Sequence, residues 1–174
     1  MPSKMQTPTQ QLQNIRLVMK GDIDKWLEKV KRLVDAGADV RVLDNYKGEG
    51  SIISKYIAYG DIQSYVKRKI ASELFAIGVA PTPRIFVDCL MIHDGFSVAD
   101  VVLDAAARLN RPINMNDLDF YGIPVHEWVA RSVIKKRLLR KTTVDYLISK
   151  GLRTNAKIFS IDDIISMADK HGEF

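Results

Sequence analysis

Three histidines, His93, His126 and His171, and one cysteine, Cys89, are the side chains of this chain best suited to metal ligation or nucleophilic chemistry. No two of the histidines stand at metal-ligand spacing, and no His-Glu-x-x-His run occurs. His93-Asp94 falls at an expected helix end, where a capping or charge-dipole role accounts for it. Cys89 stands among Phe86, Val87 and Leu90, which reads as a core thiol and not as a nucleophile. Gly48-Glu49-Gly50 is no phosphate-binding loop, because no Gly-Lys-Ser/Thr follows it and no strand leads into it. Asp162-Asp163 falls in an expected first helical turn, where acidic side chains are favoured without any catalytic role. The residues therefore point away from an enzyme: no catalytic residue, metal site, cofactor or small-molecule substrate is expected.

The basic residues carry more information. Lys29, Lys31 and Arg32 form one group and Lys67, Arg68 and Lys69 a second. The third comprises Arg131, Lys135, Lys136, Arg137, Arg140 and Lys141. Between residues 131 and 157 nine basic side chains face one acidic one, Asp145, while the whole chain has a net charge of only +5. The charge is thus localised, as an anionic partner requires. Val133-Ile134 and Leu138-Leu139 interleave with the basic run and make it one face of an amphipathic helix. Three readings stay open for that face: solvated surface, contact with an acidic protein, or contact with nucleic acid. No aromatic residue interleaves with the run, so a base-stacking platform is not visible, although phosphate contact alone needs none.

The elements that must position these groups are helical. The chain has 174 residues, 47% apolar and 27% charged, with six prolines and ten glycines, which excludes wholesale disorder and low-complexity architectures. A single cysteine excludes a disulfide framework and matches a reducing, cytoplasmic compartment. No secretory signal is expected at Met1 to Thr7, and the longest apolar run, Cys89 to Ile92, is far too short for a membrane span.

Apolar residues at helical spacing mark a helix over 22–36, stopped by Gly37. A second is expected from an Asp61 cap to Gly78, a third from a Ser97/Asp100 capping box to Asn110, and a fourth from Thr142 or Thr143 to Gly151. Ser160 and Asp163 repeat the box ahead of a last helix to Lys170. Further helices fit about 9–20, 51–59, 84–93 and 124–140. Val40 to Leu43 is the best extended candidate, and the fold class is all-α.

The helix-ending residues Gly37, Gly78, Asn110 and Gly151 are 41, 32 and 41 residues apart. A helical pair recurring at such intervals is the signature of an α-solenoid, in which each pair buries its apolar face only against its neighbours.

Several fragments resemble ankyrin repeats. Leu33-Val34-Asp35-Ala36-Gly37-Ala38-Asp39-Val40 resembles the end of that family's second helix, and Tyr146 to Gly151 with Thr154-Asn155 is a degraded copy. Gly122-Ile123-Pro124-Val125-His126 is similar to the family's first-helix start, and Ala58-Tyr59-Gly60-Asp61 to its interhelix join. The helices are longer here than the family pattern, and another helical-hairpin solenoid is the alternative. The resemblance implies a single repeat domain over 1–174, with repeats near 9–43, 44–81, 82–116 and 117–155 and a partial one over 156–174. It implies a structural role for His126.

The resemblance also implies a non-catalytic protein-binding module that sequesters or inhibits a partner through a concave face and the turns between repeats. The turn residues expected to meet that partner are Arg41, Asn45, Tyr46, Lys47, Asn114, Asn116, Phe120, Tyr121 and Arg153. Tyr46, Phe120 and Tyr121 either anchor the partner or pack under their own turns. The alternative function is nucleic-acid binding through the basic 131–157 face. No membrane is expected as a partner.

Overall fold

The computed structural model describes residues 5–18, 21–58, 62–92, 95–120, 122–127 and 141–153. These residues are mostly helical, in line with the all-α expectation. The chain divides into two compact units, Met1–Asn110 and Arg111–Phe174.

The described residues of the first unit contain six α-helices: α1 (Pro8–Gln13), α2 (Ile23–Asp35), α3 (Ile52–Ala58), α4 (Ser64–Ala76), α5 (Pro83–Leu90) and α6 (Phe96–Arg108). They pack in sequential pairs, α1 on α2, α3 on α4 and α5 on α6. Corresponding helices of successive pairs also touch: α2 meets α4, α4 meets α6, and α3 meets α5. The reason lies in the apolar stripes. On α2, Trp26, Leu27 and Val30 are buried while Lys25, Glu28, Lys29 and Arg32 are exposed. On α4 the buried stripe is Ile70, Ala71 and Leu74, and on α6 it is Val98, Ala99, Val102 and Ala106. Small residues at 71, 99 and 106 let the α4 and α6 backbones approach closely. Shorter helices α3 and α5 are buried more nearly all round, through Ile52, Ile53, Tyr56 and Ile57 and through Ile85, Phe86, Val87, Cys89 and Leu90. Ion pairs Lys69–Asp24 at 2.6 Å and Lys31–Glu73 join α2 to α4 at the surface. Such exposed pairs add little beside the apolar contact.

The helices that end before Gly37, Gly78 and Gly151 close by one chemistry. Gly37, Gly78 and Gly151 all take positive φ (+90°, +106° and +101°), as does Asn110 (+54°). Beyond each glycine the amide of the next residue reaches back to the helix: Ala38 to the Leu33 carbonyl, Val79 to Leu74 and Leu152 to Leu147, at 2.9 to 3.1 Å. This is the Schellman arrangement, in which a residue without a Cβ turns the chain and two otherwise orphaned carbonyls gain donors. Ala38, Val79 and Leu152 are buried, which adds the apolar contact the motif favours.

One residue further on, a second regularity appears. The Asp39 amide donates to Thr9 Oγ1 (3.0 Å), the Ala80 amide to Asp44 Oδ1 (2.9 Å) and the Arg153 amide to Asn116 Oδ1 (2.6 Å). Each time, a polar side chain at or just ahead of the start of a stretch accepts the amide two residues past its closing glycine. At the corresponding place after Asn110 stands Pro112, which has no amide hydrogen to offer.

Several expectations need correction. The first helix stops at Gln13 and does not run to Lys20, because the segment after it bonds to side chains. Its start is set by Thr7 and Gln10, which form a capping box around Pro8. Val40–Leu43 is a 3-10 turn and not extended: Asp39 accepts the Arg41 amide and tightens the backbone. The α4 cap is Gln63, and α6 starts from Gly95, which places Ser97 inside the helix. Thr142 and Thr143 lie inside their helix and do not cap it. Thr82 caps α5 with Pro83 in its first turn, one residue ahead of the start expected near residue 84.

The second unit holds a 3-10 turn (Met115–Asp117), two two-residue strands, β1 (Asp119–Phe120) and β2 (Ile123–Pro124), and α7 (Lys141–Ser149). The strands pair antiparallel, Asp119 opposite Pro124 and Phe120 opposite Ile123, where a turn through Tyr121 and a helix from residue 124 were expected. Gly122 at φ +84° and its amide on the Asp119 carboxylate make the reversal. Met115, Leu118, Val125, Val144, Leu147 and Leu152 form the core here.

Lys67 is nearly fully buried on α4, and its ammonium donates to the Ile57 carbonyl at 2.7 Å, in the last turn of α3. A cation is favourable at that helix end, yet burial pushes its pKa below the ordinary lysine value. The unfolded chain therefore binds this proton more tightly than the folded one. Stability from this group is present above the unfolded value of 10.5 and is lost as pH falls through the folded value. Lys67→Met is expected to flatten the rise in stability as pH climbs toward the unfolded value of 10.5, relative to wild type. Urea midpoints of both proteins across that range check it; parallel curves would show that the buried ammonium has no such effect.

Candidate partner-binding turns

In the first unit the candidate turns follow α2 and precede α3. Arg41 sits on the 3-10 turn after Gly37, with its side chain 81% exposed and its guanidinium bidentate on the Asp39 carboxylate (2.8 to 3.2 Å). That contact lowers the Asp39 pKa and raises that of Arg41. Asp39 in turn has its amide on Thr9, so the arginine stands on a braced stalk. Asn45 is exposed, and its side-chain carbonyl accepts the Gly50 amide at 3.3 Å across the loop. Lys47 adopts φ +53°, unusual for a residue with a Cβ, and its ammonium lies 5.1 Å from the Tyr46 ring centroid.

Tyr46 is a correction. It is only 4% exposed, and its hydroxyl donates to the Ile15 carbonyl, so it packs beneath its turn and is no exposed anchor. It belongs to a set of three aromatic side chains that hold the segment after α1. Trp26 Nε1 donates to the Arg16 carbonyl (2.9 Å), and the Tyr56 hydroxyl accepts the Val18 amide (3.2 Å). Trp26 and Tyr56 also meet edge to face, with centroids 5.2 Å apart. Tyr46→Phe is expected to cost about 1 to 2 kcal/mol, since the Ile15 carbonyl loses a buried donor while the ring stays packed. Chemical denaturation measures it, and an unchanged midpoint would show that water replaces the hydroxyl.

In the second unit Asn114, Asn116 and Arg153 are exposed. Asn114 caps the 3-10 turn by accepting the Asn116 amide and donates to Asp117 (2.7 Å). Asn116 accepts from the Arg153 amide and donates to the Gly151 carbonyl (3.2 Å), tying the turn before β1 to the end of α7. Both asparagines thus brace loops as well as face solvent, and Arg153 is displayed by that brace. Thr9 and Asp44, neither of them among the expected partner-binding residues, do the corresponding work in the first unit. Their signal was positional: each accepts an amide two residues past a helix-ending glycine.

The remaining candidates are less completely placed. Phe120 lies in β1, and its side chain is outside the described residues, as is all of Tyr121. Of the basic face, Arg131, Lys135, Lys136, Arg137 and Arg140 lie outside the described residues; Lys141 opens α7, its side chain undescribed. His93 and His171 are outside them also, and His126 is exposed in a helical first turn. Cys89 is fully buried, and burial raises its thiol far above the ordinary range, as a core thiol requires. Among the described residues no group of three or more His, Cys, Asp or Glu side chains is arranged to hold a metal ion. No helix among them is long and apolar enough to cross a membrane.

Comparison with known families, curated proteins and solved structures found no match to this chain.

Proposed function

We propose that the chain is a non-catalytic helical-repeat module that binds a partner protein through its inter-helical turns and so sequesters or inhibits it. The observation that carries this reading is the bracing of the turns. Polar side chains at 9, 44 and 116 fix the backbone past each closing glycine. Arg41 and Arg153 are displayed on those fixed frames, and Lys47 on the loop that Asn45 closes onto Gly50. Pre-ordered turns lose little entropy on association, and arginine is prominent among residues that dominate interface energies. The ankyrin-like reading of Gly37-Ala38-Asp39 and Gly122 to His126 agrees with this and belongs to the same proposal.

The test is affinity capture from the native source with three proteins. These are the wild type, an Arg41→Ala/Lys47→Ala variant of the first unit and an Arg153→Ala variant of the second. A protein retained by the wild type and lost by either variant supports the reading. Nucleic acid retained by the wild type and lost when Lys135, Lys136, Arg137 and Arg140 are changed to Glu would replace it with the basic-face reading. The local charge excess of residues 131–157 is what favours that second reading.

A further inference from the structure

An open groove of about 660 Å³ runs between α1, the segment after it and the first turns of α2. Its wall is the segment Ile15 to Val18, held from behind by Tyr46, Trp26 and Tyr56 through the Ile15 carbonyl, the Arg16 carbonyl and the Val18 amide. A non-helical segment pinned at three consecutive backbone groups is a rigid surface. Ile15 and Trp26 form a buried apolar floor.

The rim is charged with one sign in excess. Arg16, Lys25 and Lys29 line the groove against the single carboxylate of Asp22, which is engaged with the Lys25 ammonium. Arg16 and Lys29 are exposed and, among the described residues, have no ion-pair partner. The Asn14 and Gln6 side chains add amides, which can both donate to and accept from a peptide backbone.

We propose that this groove is a docking surface for an acidic peptide segment of a partner protein, with its carboxylates at Arg16 and Lys29 and its backbone along the Asn14 and Gln6 side-chain amides. The mixture favours a peptide over a nucleic acid strand, whose phosphates call for a run of cations and whose bases call for exposed aromatic faces. Here Arg16 and Lys29, without ion-pair partners among the described residues, are flanked by amides, and Trp26 is buried. The site is separate from the turns at Arg41 and Lys47 and stands or falls without them.

Fluorescence anisotropy of a labelled poly-glutamate peptide with the full chain tests the proposal, using poly-glutamine and single-stranded DNA as comparison probes. The wild type is expected to bind poly-glutamate, more weakly as salt rises. An Arg16→Glu/Lys29→Glu variant is expected to bind it about ten-fold or more weakly, and Arg41→Glu to bind it as the wild type does. Both reversed side chains are exposed, so the fold should persist; Arg16→Gln/Lys29→Gln, with a smaller loss of the same sign, stands in if it does not. Absence of binding by the wild type overturns the proposal. So do equal binding by the double variant, equal binding of poly-glutamine, and DNA binding of equal strength lost by the same substitutions.

Discussion

Gly95→Ala is expected to be the most damaging single-methyl addition in the first unit. Gly95 has an ordinary φ of −72°, so backbone strain is not the cause. A Cβ there would stand 1.8 Å from the Cys89 carbonyl oxygen and 2.7 Å from Ile92 Cγ1. The oxygen belongs to the backbone at the end of α5, so no rotamer change relieves the contact. Either α5 must part from the start of α6, or Gly95 must surrender its place as the residue whose carbonyl accepts the Val98 and Ala99 amides. Overpacking of this kind costs typically about 1 to 3 kcal/mol, and a clash against fixed backbone belongs at or above the upper end. Urea denaturation should show a midpoint lowered with little change in slope. A midpoint within experimental error of wild type would mean that the α5–α6 connection yields freely.

Leu74→Ala is expected to cost about 3 kcal/mol, within the usual range for a fully buried leucine. Leu74 is fully buried on α4, the helix that contacts α2, α3 and α6, and its carbonyl receives the Val79 amide in the glycine cap. The cavity therefore opens inside the core of a helix packed on three others, beside backbone already committed to a cap that cannot move in to fill it. Leu109→Ala, on the exposed residue that ends α6, is the contrast and should change stability by less than about 0.5 kcal/mol. Equal effects of the two would contradict the packing described for α4.

The helix ends were the most legible feature in the sequence. Gly37, Gly78, Asn110 and Gly151 were identifiable because left-handed conformations are nearly closed to residues with a Cβ, so the residue type and the geometry are tied together. Helix starts were less legible, since the deciding atom is often backbone. Nothing in the type of Gln63 announces a cap, and the Ser97/Asp100 pair offers the side-chain acceptors that Gly95 lacks. The length of α1 was hidden for another reason: Trp26, Tyr46 and Tyr56, which take the backbone groups past Asn14, are brought there only by tertiary packing. The same three-dimensional cause separates Tyr46 from Arg41 in the candidate site. Both occur in a turn of exposed-type residues, but the hydroxyl of Tyr46 had a buried carbonyl to satisfy, while Arg41 found its partner two residues away in Asp39. The two-residue ladder at Asp119 to Pro124 is too short for any alternation to register.

The side-chain latches at Thr9, Asp44 and Asn116 make each stretch between them a closed polymer loop, of 30, 36 and 37 residues between bonded positions. The entropy of closing a loop grows only with the logarithm of its length, so going from 30 to 37 residues costs about 0.2 kcal/mol. Length between the latches is therefore nearly a neutral variable, while the identity of the residues at the closure is not. Selection acting on such a chain can add or remove a helical turn without penalty so long as the two ends still meet. Successive segments can then drift apart in size, and in every residue between, while keeping the same plan of closure.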